Sequence, residues 1–360
     1  MRVLFPLLLI ACAGPDEDSS TVPSGPAASC DPVAPTVCGL PFPSTYHMVE
    51  DSSTGSGWRV AFAEDTLPIN ANGYQPNPFF YNELDGWSVL TPMLAHFGDV
   101  SLDGLSGHDD LGGSIADDSL SIVVDADTGE RIPHFVERDI SVEDSDRSLL
   151  MIRPVAPMEY GHRYVVGLRG LVDPQGAAIE SSSAFVELRD DTPSSDADVE
   201  RRRTVYDEVI FPTLEKEGWD RSEITLAWDF VTGSQQGITG RPQWLRDDAL
   251  SRFSSGDPTY TIVSTEEAPN EHTAFRIYGE FSAPLYMEAD DSGTVLTRDD
   301  EGQPFYNGET TVGFSMVVPN SVVESGEPAA IVQYGHGLLG SRSEVHNGYL
   351  AEMADRYGWI

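Results

Sequence analysis

The residues best placed by type and spacing to do chemistry are Gly335-His-Gly-Leu-Leu-Gly340, in a chain of 360 residues. They follow Ala329-Ala-Ile-Val-Gln-Tyr334, which is apolar at most positions, as a strand buried on both faces should be. They precede Ser341-Arg-Ser-Glu344, an S-x-x-E capping box. Val345, Tyr349, Met353 and Tyr357 then recur every four residues, and Gly358 stops the helix they predict. A glycine-rich loop held between a rigid strand and a capped helix keeps side chains out of the path of an approaching carbonyl. It also preorganises backbone N–H donors where negative charge develops. The competing reading is a turn that merely joins strand to helix.

Other candidate groups have plainer explanations. Asp125-x-Asp-x-Gly129 has carboxylates at a spacing that suggests calcium, but it lacks the distal bidentate Glu and the ligand alternation of a calcium loop, so a hairpin turn is expected. Cys30 and Cys38 have no nearby His or Cys with which to hold a metal, and are expected to form a disulfide that closes a small loop. No metal and no cofactor are expected. Arg201-Arg-Arg203 reads as a solvated, salt-bridged helix face.

The elements that must position the loop change character along the chain. From about residue 100 to 190 the pattern is β. Leu120–Val124, a turn over Asp125–Glu130 and a return over Ile132–Val136 are followed by strands at Leu149–Arg153 and Arg163–Leu168. Short strands with regular turns argue for a sandwich. Trp58, Val60 and Phe62 mark a shorter strand upstream. Residues 194–218 switch to helical period, with Val199, Arg203, Tyr206, Ile210 and Leu214 on one stripe and an interruption expected near Pro212. A strand over Ile224–Val231 and a short helix from Pro242 to Arg252 follow. Beyond about residue 258 come strands at Thr259–Val263, Ala274–Phe281 and Thr311–Val318, with turns at Asp290–Gly293 and Asp299–Gly302 between them.

Composition excludes one class of function. With 21 Lys and Arg against 59 Asp and Glu the net charge is −38, while 22% charged and 40% apolar residues are a globular balance. Such a field repels nucleic acid. The N-terminus predicts an address. Arg2 and the apolar run Val3–Ala11 form a targeting segment too short to span a bilayer, and Leu9-Ile-Ala-Cys12 resembles the bacterial lipobox. The resemblance implies cleavage before Cys12 and acylation of its thiol, which would make Cys12 a lipid anchor for an exported protein. Ala13 after it favours the outer membrane. A Pro-, Gly- and Ser-rich tether from residue 12 to 38 would hold the body near the membrane surface.

Two family resemblances complete the expectation. Met151–Ile179, "MIRPVAPMEYGHRYVVGLRGLVDPQGAAI", resembles the Ig-like modules of bacterial surface proteins. The order of strands Ala274–Phe281, Thr311–Val318 and Ala329–Tyr334, the His-Gly loop and a helix over Glu344–Tyr357 resembles the start of the α/β-hydrolase superfamily. In that family a backbone N–H just beyond the His-Gly pair helps to form the oxyanion hole. Carried over, Leu338 is the expected donor, with Leu339 next, while His336 and Gly337 shape the loop and His336 is not the triad base. The family's G-x-S-x-G elbow does not occur. Ser315, in Gly313-Phe-Ser-Met-Val317, is expected to be a packed strand residue, and the helix cap accounts for Ser341 and Ser343 beside His346.

The expected organisation is therefore a signal peptide over 1–11, a tether over 12–38, a β-rich region with an Ig-like module over 39–190, a helical connector over 191–257, and the start of a hydrolase domain over 258–360. The nucleophile is expected roughly 60–100 residues beyond Ile360, so these residues alone are expected to be inactive. The lipobox, the tether and the "LPFPS" stretch at 40–44 ahead of such strands resemble large bacterial lipoproteins related to extracellular lipases of virulence-factor type. They imply serine-dependent ester hydrolysis without a metal. A peptidase of the same fold would present the same residues. The alternative class is a noncatalytic surface lipoprotein with an Ig-like adhesion module.

Overall fold

A computed structural model describes residues 30–144, 147–253 and 259–360. Cys12 and the expected signal and tether residues before Cys30 lie outside them. The described chain is mixed, with most of its regular structure in β-sheets and few helices, and divides into two compact units at Ile238/Thr239. Among the described residues no helix is long and apolar enough to cross a membrane.

In the first unit β1 (Met48–Glu50) and β2 (Trp58–Val60) form a small antiparallel pair. β3 (Met93–Ala95), β4 (Ser121–Asp125), β5 (His134–Arg138), β6 (Leu150–Pro154) and β7 (Arg163–Arg169) follow, and with a later strand they make two three-stranded antiparallel sheets. One sheet has the order β3-β6-β5; in the other, β7 lies between β4 and β8 (Ile224–Val231). The expected hairpin between β4 and its return forms only next to its turn, through the antiparallel bridge Val124↔Arg131 and Ile132 N–H to Val123 O. The turn closes through Asp125 N–H to Glu130 O, but β5 then leaves for the other sheet and pairs with β6. β8 is buried at every position and registers along β7 from Arg163↔Val231 to Leu168↔Leu226. Both sheets contribute to one core that includes Met93, Ile122, Leu150, Tyr164 and Trp228.

Of the helical segments expected as a connector, those before β8 belong to this unit. α1 (Ser183–Arg189) is capped by Ser182 Oγ, which accepts from Phe185 N–H. α2 (Ala197–Val205) continues through a π-turn at Tyr206–Ile210 into α3 (Phe211–Lys216). Pro212 lies in the first turn of α3, so the wide turn absorbs the donor that proline lacks. Val199, Tyr206, Ile210, Phe211 and Leu214 are buried and add to the β-sheet core. For that reason the boundary falls after β8, at 238, rather than at both ends of a separate connector.

Arg202, expected in a solvated triplet, is instead buried, and the stripe runs through it rather than Arg203. Its Nη1 donates to buried Asp31 and its Nη2 lies 3.7 Å from Asp229, which also accepts from Arg163 Nη1 at 2.9 Å. Arg202 stays charged because these two carboxylates outweigh its desolvation. Its guanidinium also lies 5.2 Å from the Tyr206 ring. The disulfide Cys30–Cys38 holds the loop that carries Asp31.

In the second unit α4 (Arg241–Phe253) precedes β9 (Tyr260–Asn270), β10 (Thr273–Pro284) and β11 (Glu309–Pro319), an antiparallel sheet with β10 central. α5 (Asn320–Ser325) and α6 (Gly348–Tyr357) complete it. Gly358, left-handed at φ 66°, ends α6 and donates to Ala354 O.

Candidate functional site

The loop at 335–340 lies between segment 329–334 and a 3₁₀ turn, Arg342–His346, that leads to α6. The segment is extended, but its pairing is a single parallel bridge, Ala330↔Trp359, flanked by Val332 N–H to Ile360 O at 2.6 Å and Ile360 N–H to Ala330 O at 2.8 Å. The expected burial on both faces is not met. Ile331 is 75% exposed, because among the described residues no full strand pairs with it.

Glu344 was expected to close a capping box at Ser341. Ser341 Oγ does accept from Ser343 N–H, but the Glu344 side chain turns into the loop instead. Its Oε2 lies 3.5 Å from Gly337 N and accepts from the Tyr334 hydroxyl at 3.4 Å. That hydroxyl is also 3.3 Å from the Tyr349 hydroxyl, and this hydrogen bond, with the neighbouring carboxylate, pushes Tyr334 up to about 12. The helix proper starts only at Gly348. Its buried positions are Ala351 and Ala354, so Tyr349, Met353 and Tyr357, expected on the packed stripe, stand exposed. Small residues let α6 approach its neighbours closely, and the bulky four-residue repeat takes the other face.

Within the loop, Gly340 N–H donates to Gly337 O at 2.9 Å, closing a turn around Leu338 and Leu339. Leu339 is left-handed at φ 61°, a strained conformation for a branched side chain. Both leucine side chains are almost fully exposed, at 97% and 96%. Among the described residues neither the Leu338 nor the Leu339 N–H meets a hydrogen-bond acceptor. Two adjacent backbone donors thus stand free at the tip of a loop closed at its base. His336 turns Nδ1 to Gly337 O at 2.8 Å. A Cβ at Gly335 or Gly337 would meet open space, whereas one at Gly340 would fall 1.9 Å from Glu344 Oε1 and 2.9 Å from Gly337 O. Gly340 is therefore the glycine the packing requires.

Among the described residues no nucleophile is assembled with this loop. Ser341 Oγ and Ser343 Oγ bond each other at 2.7 Å. The Nε2 of His346 is buried without a partner, its ring packed at a steep angle 5.4 Å from that of Tyr278, and burial lowers its basicity. Ser315 Oγ is buried in β11 and unpaired, as a packed strand residue. One serine, histidine and aspartate set escaped the sequence reading because its members are dispersed. His272 Nδ1 lies 3.2 Å from Asp355 Oδ2, and Ser321 N–H donates to Asp355 Oδ1 at 2.8 Å. The serine meets the carboxylate, not the imidazole, so the set ties the β9–β10 turn, α5 and α6 together and activates no hydroxyl.

Asp125, Asp127 and His162 in the first unit place ligand-type atoms within 4.8 Å of one another. Each is already engaged. Asp125 Oδ1 accepts from Asp127 and Thr128 N–H, its Oδ2 pairs with His162 Nδ1 at 2.8 Å, and Asp127 Oδ2 accepts from Arg163 N–H. The hydrogen bond to Asp125 raises the His162 pKa. This is a hairpin turn tied to the start of β7.

A groove of about 500 Å³ lies beside the loop's supporting segment, lined by Phe281, Val312, Phe314, Ile331, Leu350 and Ile360 among others. The chain matches no family model, no curated protein and no solved structure.

Proposed function

We propose that the second unit belongs to an α/β-hydrolase-type catalytic domain, and that the 335–340 loop supplies the electrostatic half of a serine ester hydrolase site. The observation that carries this reading is the pair of free N–H groups at Leu338 and Leu339, held by the Gly337–Gly340 turn. In the reaction a serine oxygen attacks the ester carbonyl, and the carbonyl oxygen takes up negative charge as the tetrahedral intermediate forms. Loss of the alcohol gives an acyl-enzyme that water then hydrolyses. Donors fixed at the oxygen's position stabilise that charge without reorganising, and one such donor is worth about 10²–10³ in kcat. His336 and Gly337 shape the loop, and Glu344 holds it from inside.

The same reading makes the protein an exported one anchored through acylated Cys12, in the outer membrane, with an Ig-like first unit. One observation favours a binding role for that unit: Tyr74, Phe79, Phe80 and Tyr81 form an exposed aromatic stretch. The catalytic reading is tested on the polypeptide as its gene encodes it. Turnover of a nitrophenyl ester should fall about 10²-fold or more in kcat in Leu338→Pro, which deletes one donor at an exposed position. An unchanged kcat, or no turnover by the parent protein, would leave the surface-adhesion reading in its place. Release of Cys12→Ala from membranes tests the anchor.

A further inference from the structure

The first unit carries a loop that neither the catalytic reading nor the core accounts for. Asn82 takes both backbone groups of Phe62: its Oδ1 accepts from the N–H at 2.8 Å and its Nδ2 donates to the carbonyl at 3.1 Å, so residues 63–81 leave and return at one point beside β2. From Thr66 to Asn82 the sequence holds no Asp, Glu, Lys or Arg, although the chain's net charge is −38. Ile69, Tyr74, Phe79, Phe80 and Tyr81 are exposed within that stretch.

The loop is braced in the form that presents these side chains. Asn70 Oδ1 accepts from the N–H groups of Asn72 and Tyr74, Asn77 Oδ1 accepts from Phe79 N–H, and Gln75 Nε2 donates to Leu67 O at 2.6 Å. Pro78 is buried directly before the two phenylalanines, and the Tyr81 ring meets the Phe62 ring edge-on, 6.2 Å away. Little ordering is left to do when such rings leave water. The Asn70, Gln75, Asn77 and Asn82 amides, by which a sugar or a peptide would be read, are committed to the loop's own backbone. What faces outward is mainly aromatic and uncharged, and suits an apolar phase rather than a polar ligand. Exposed Glu64 and Asp65 at the base of the loop set its charge preference. They repel an anionic headgroup and complement the outward ammonium of a zwitterionic one.

We propose that loop 63–81 docks the first unit on a bilayer of zwitterionic lipid, with Ile69, Phe79 and Phe80 entering the boundary between headgroups and acyl chains and the Tyr74 and Tyr81 hydroxyls staying at headgroup level. The proposal rests on the binding role read for that unit and names its partner. It requires neither catalysis nor an acylated Cys12.

The test uses the full chain with Phe80→Trp, mixed with phosphatidylcholine vesicles, some of them brominated on the acyl chains to quench a tryptophan that reaches them. The readout sits on the loop, so lipid held elsewhere by the chain does not count, and the parent's emission is subtracted. The expected result is emission from the added tryptophan reduced about twofold or more by the brominated lipid. Quenching should weaken when phosphatidylglycerol is mixed in at low salt, and should be absent for Ile140→Trp, an exposed position outside the loop. Phe79→Ser beside Phe80→Trp should cut it. No quenching in Phe80→Trp, or equal quenching in Ile140→Trp, overturns the proposal. Retention of the unsubstituted chain on an insoluble polysaccharide, lost in Phe79→Ser with Phe80→Ser, would then keep a binding role for the unit with a different partner. Failure of both responses removes that role as well.

Discussion

Acidification should destabilise the first unit through His47. The ring is fully buried between Tyr46 and Phe62, and neither nitrogen has a hydrogen-bond partner. Desolvation first, and the Arg202 charge second, hold its pKa down to about 3 against an ordinary 6.5. Below pH 6.5 the unfolded chain binds a proton that the folded one refuses, so stability is lost as pH falls from 6.5 towards 3. At pH 5 the difference is RT ln(1 + 10^1.5), about 2 kcal/mol, and at pH 7.5 it is close to zero. His47→Leu removes the group while keeping an apolar side chain in the site. Denaturant-dependent hydrogen exchange of the buried β7 and β8 amides reports opening of this unit at the two pH values. The wild type should lose about 2 kcal/mol more than the variant on going from pH 7.5 to 5. His134, held down to about 4 by burial, acts in both proteins and cancels. Identical pH dependence in the two would refute the reasoning.

Three further outcomes are expected. Arg202→Met should destabilise the first unit by about 3–5 kcal/mol, because Asp31 and Asp229 are left buried without their cation, and Arg202→Met with Asp31→Leu should recover part of that loss in denaturant melts. His162 has the opposite sign from His47: its pKa is raised by Asp125, so its contribution is complete below 6.5 and fades as pH rises through the folded value. With the imidazole 31% exposed, solvent screening limits the effect to about a few tenths of a kcal/mol, seen as a flatter alkaline limb in His162→Gln. Leu339→Gly should stabilise the second unit by about 1 kcal/mol by relieving its left-handed backbone, read as a rise in its denaturation midpoint.

Local signals in the sequence were sufficient for elements whose partners are near. The strands at Ile224–Val231 and Arg163–Leu168, the break at Pro212 and the stop at Gly358 all rest on period, proline and glycine chemistry that acts within a few residues. What the sequence hid depends on distance. Arg202 reads as surface until Asp31, 171 residues earlier, is placed beside it. The turn at Asp125–Glu130 reads as a hairpin because nothing local tells β5 to leave for β6. The α6 stripe misled because four-residue spacing marks one helix face without saying which face packs, and Ala351 and Ala354 decided it by size. At the loop, the Gly-rich run and its flanking elements were legible. The inward turn of Glu344 was not, since a capping box and a loop clamp use the same residue.

The central claim is that the Leu338 and Leu339 amides receive a developing oxyanion. It is tested most directly by labelling the gene-encoded polypeptide with a fluorophosphonate, whose phosphoryl oxygen occupies the oxyanion's position, and recording the amide proton shifts of both leucines. The account predicts one labelled serine and a strong downfield shift of the Leu338 N–H, with Leu339 next. Labelling that leaves both amides where they were, or no labelled serine at all, would contradict it.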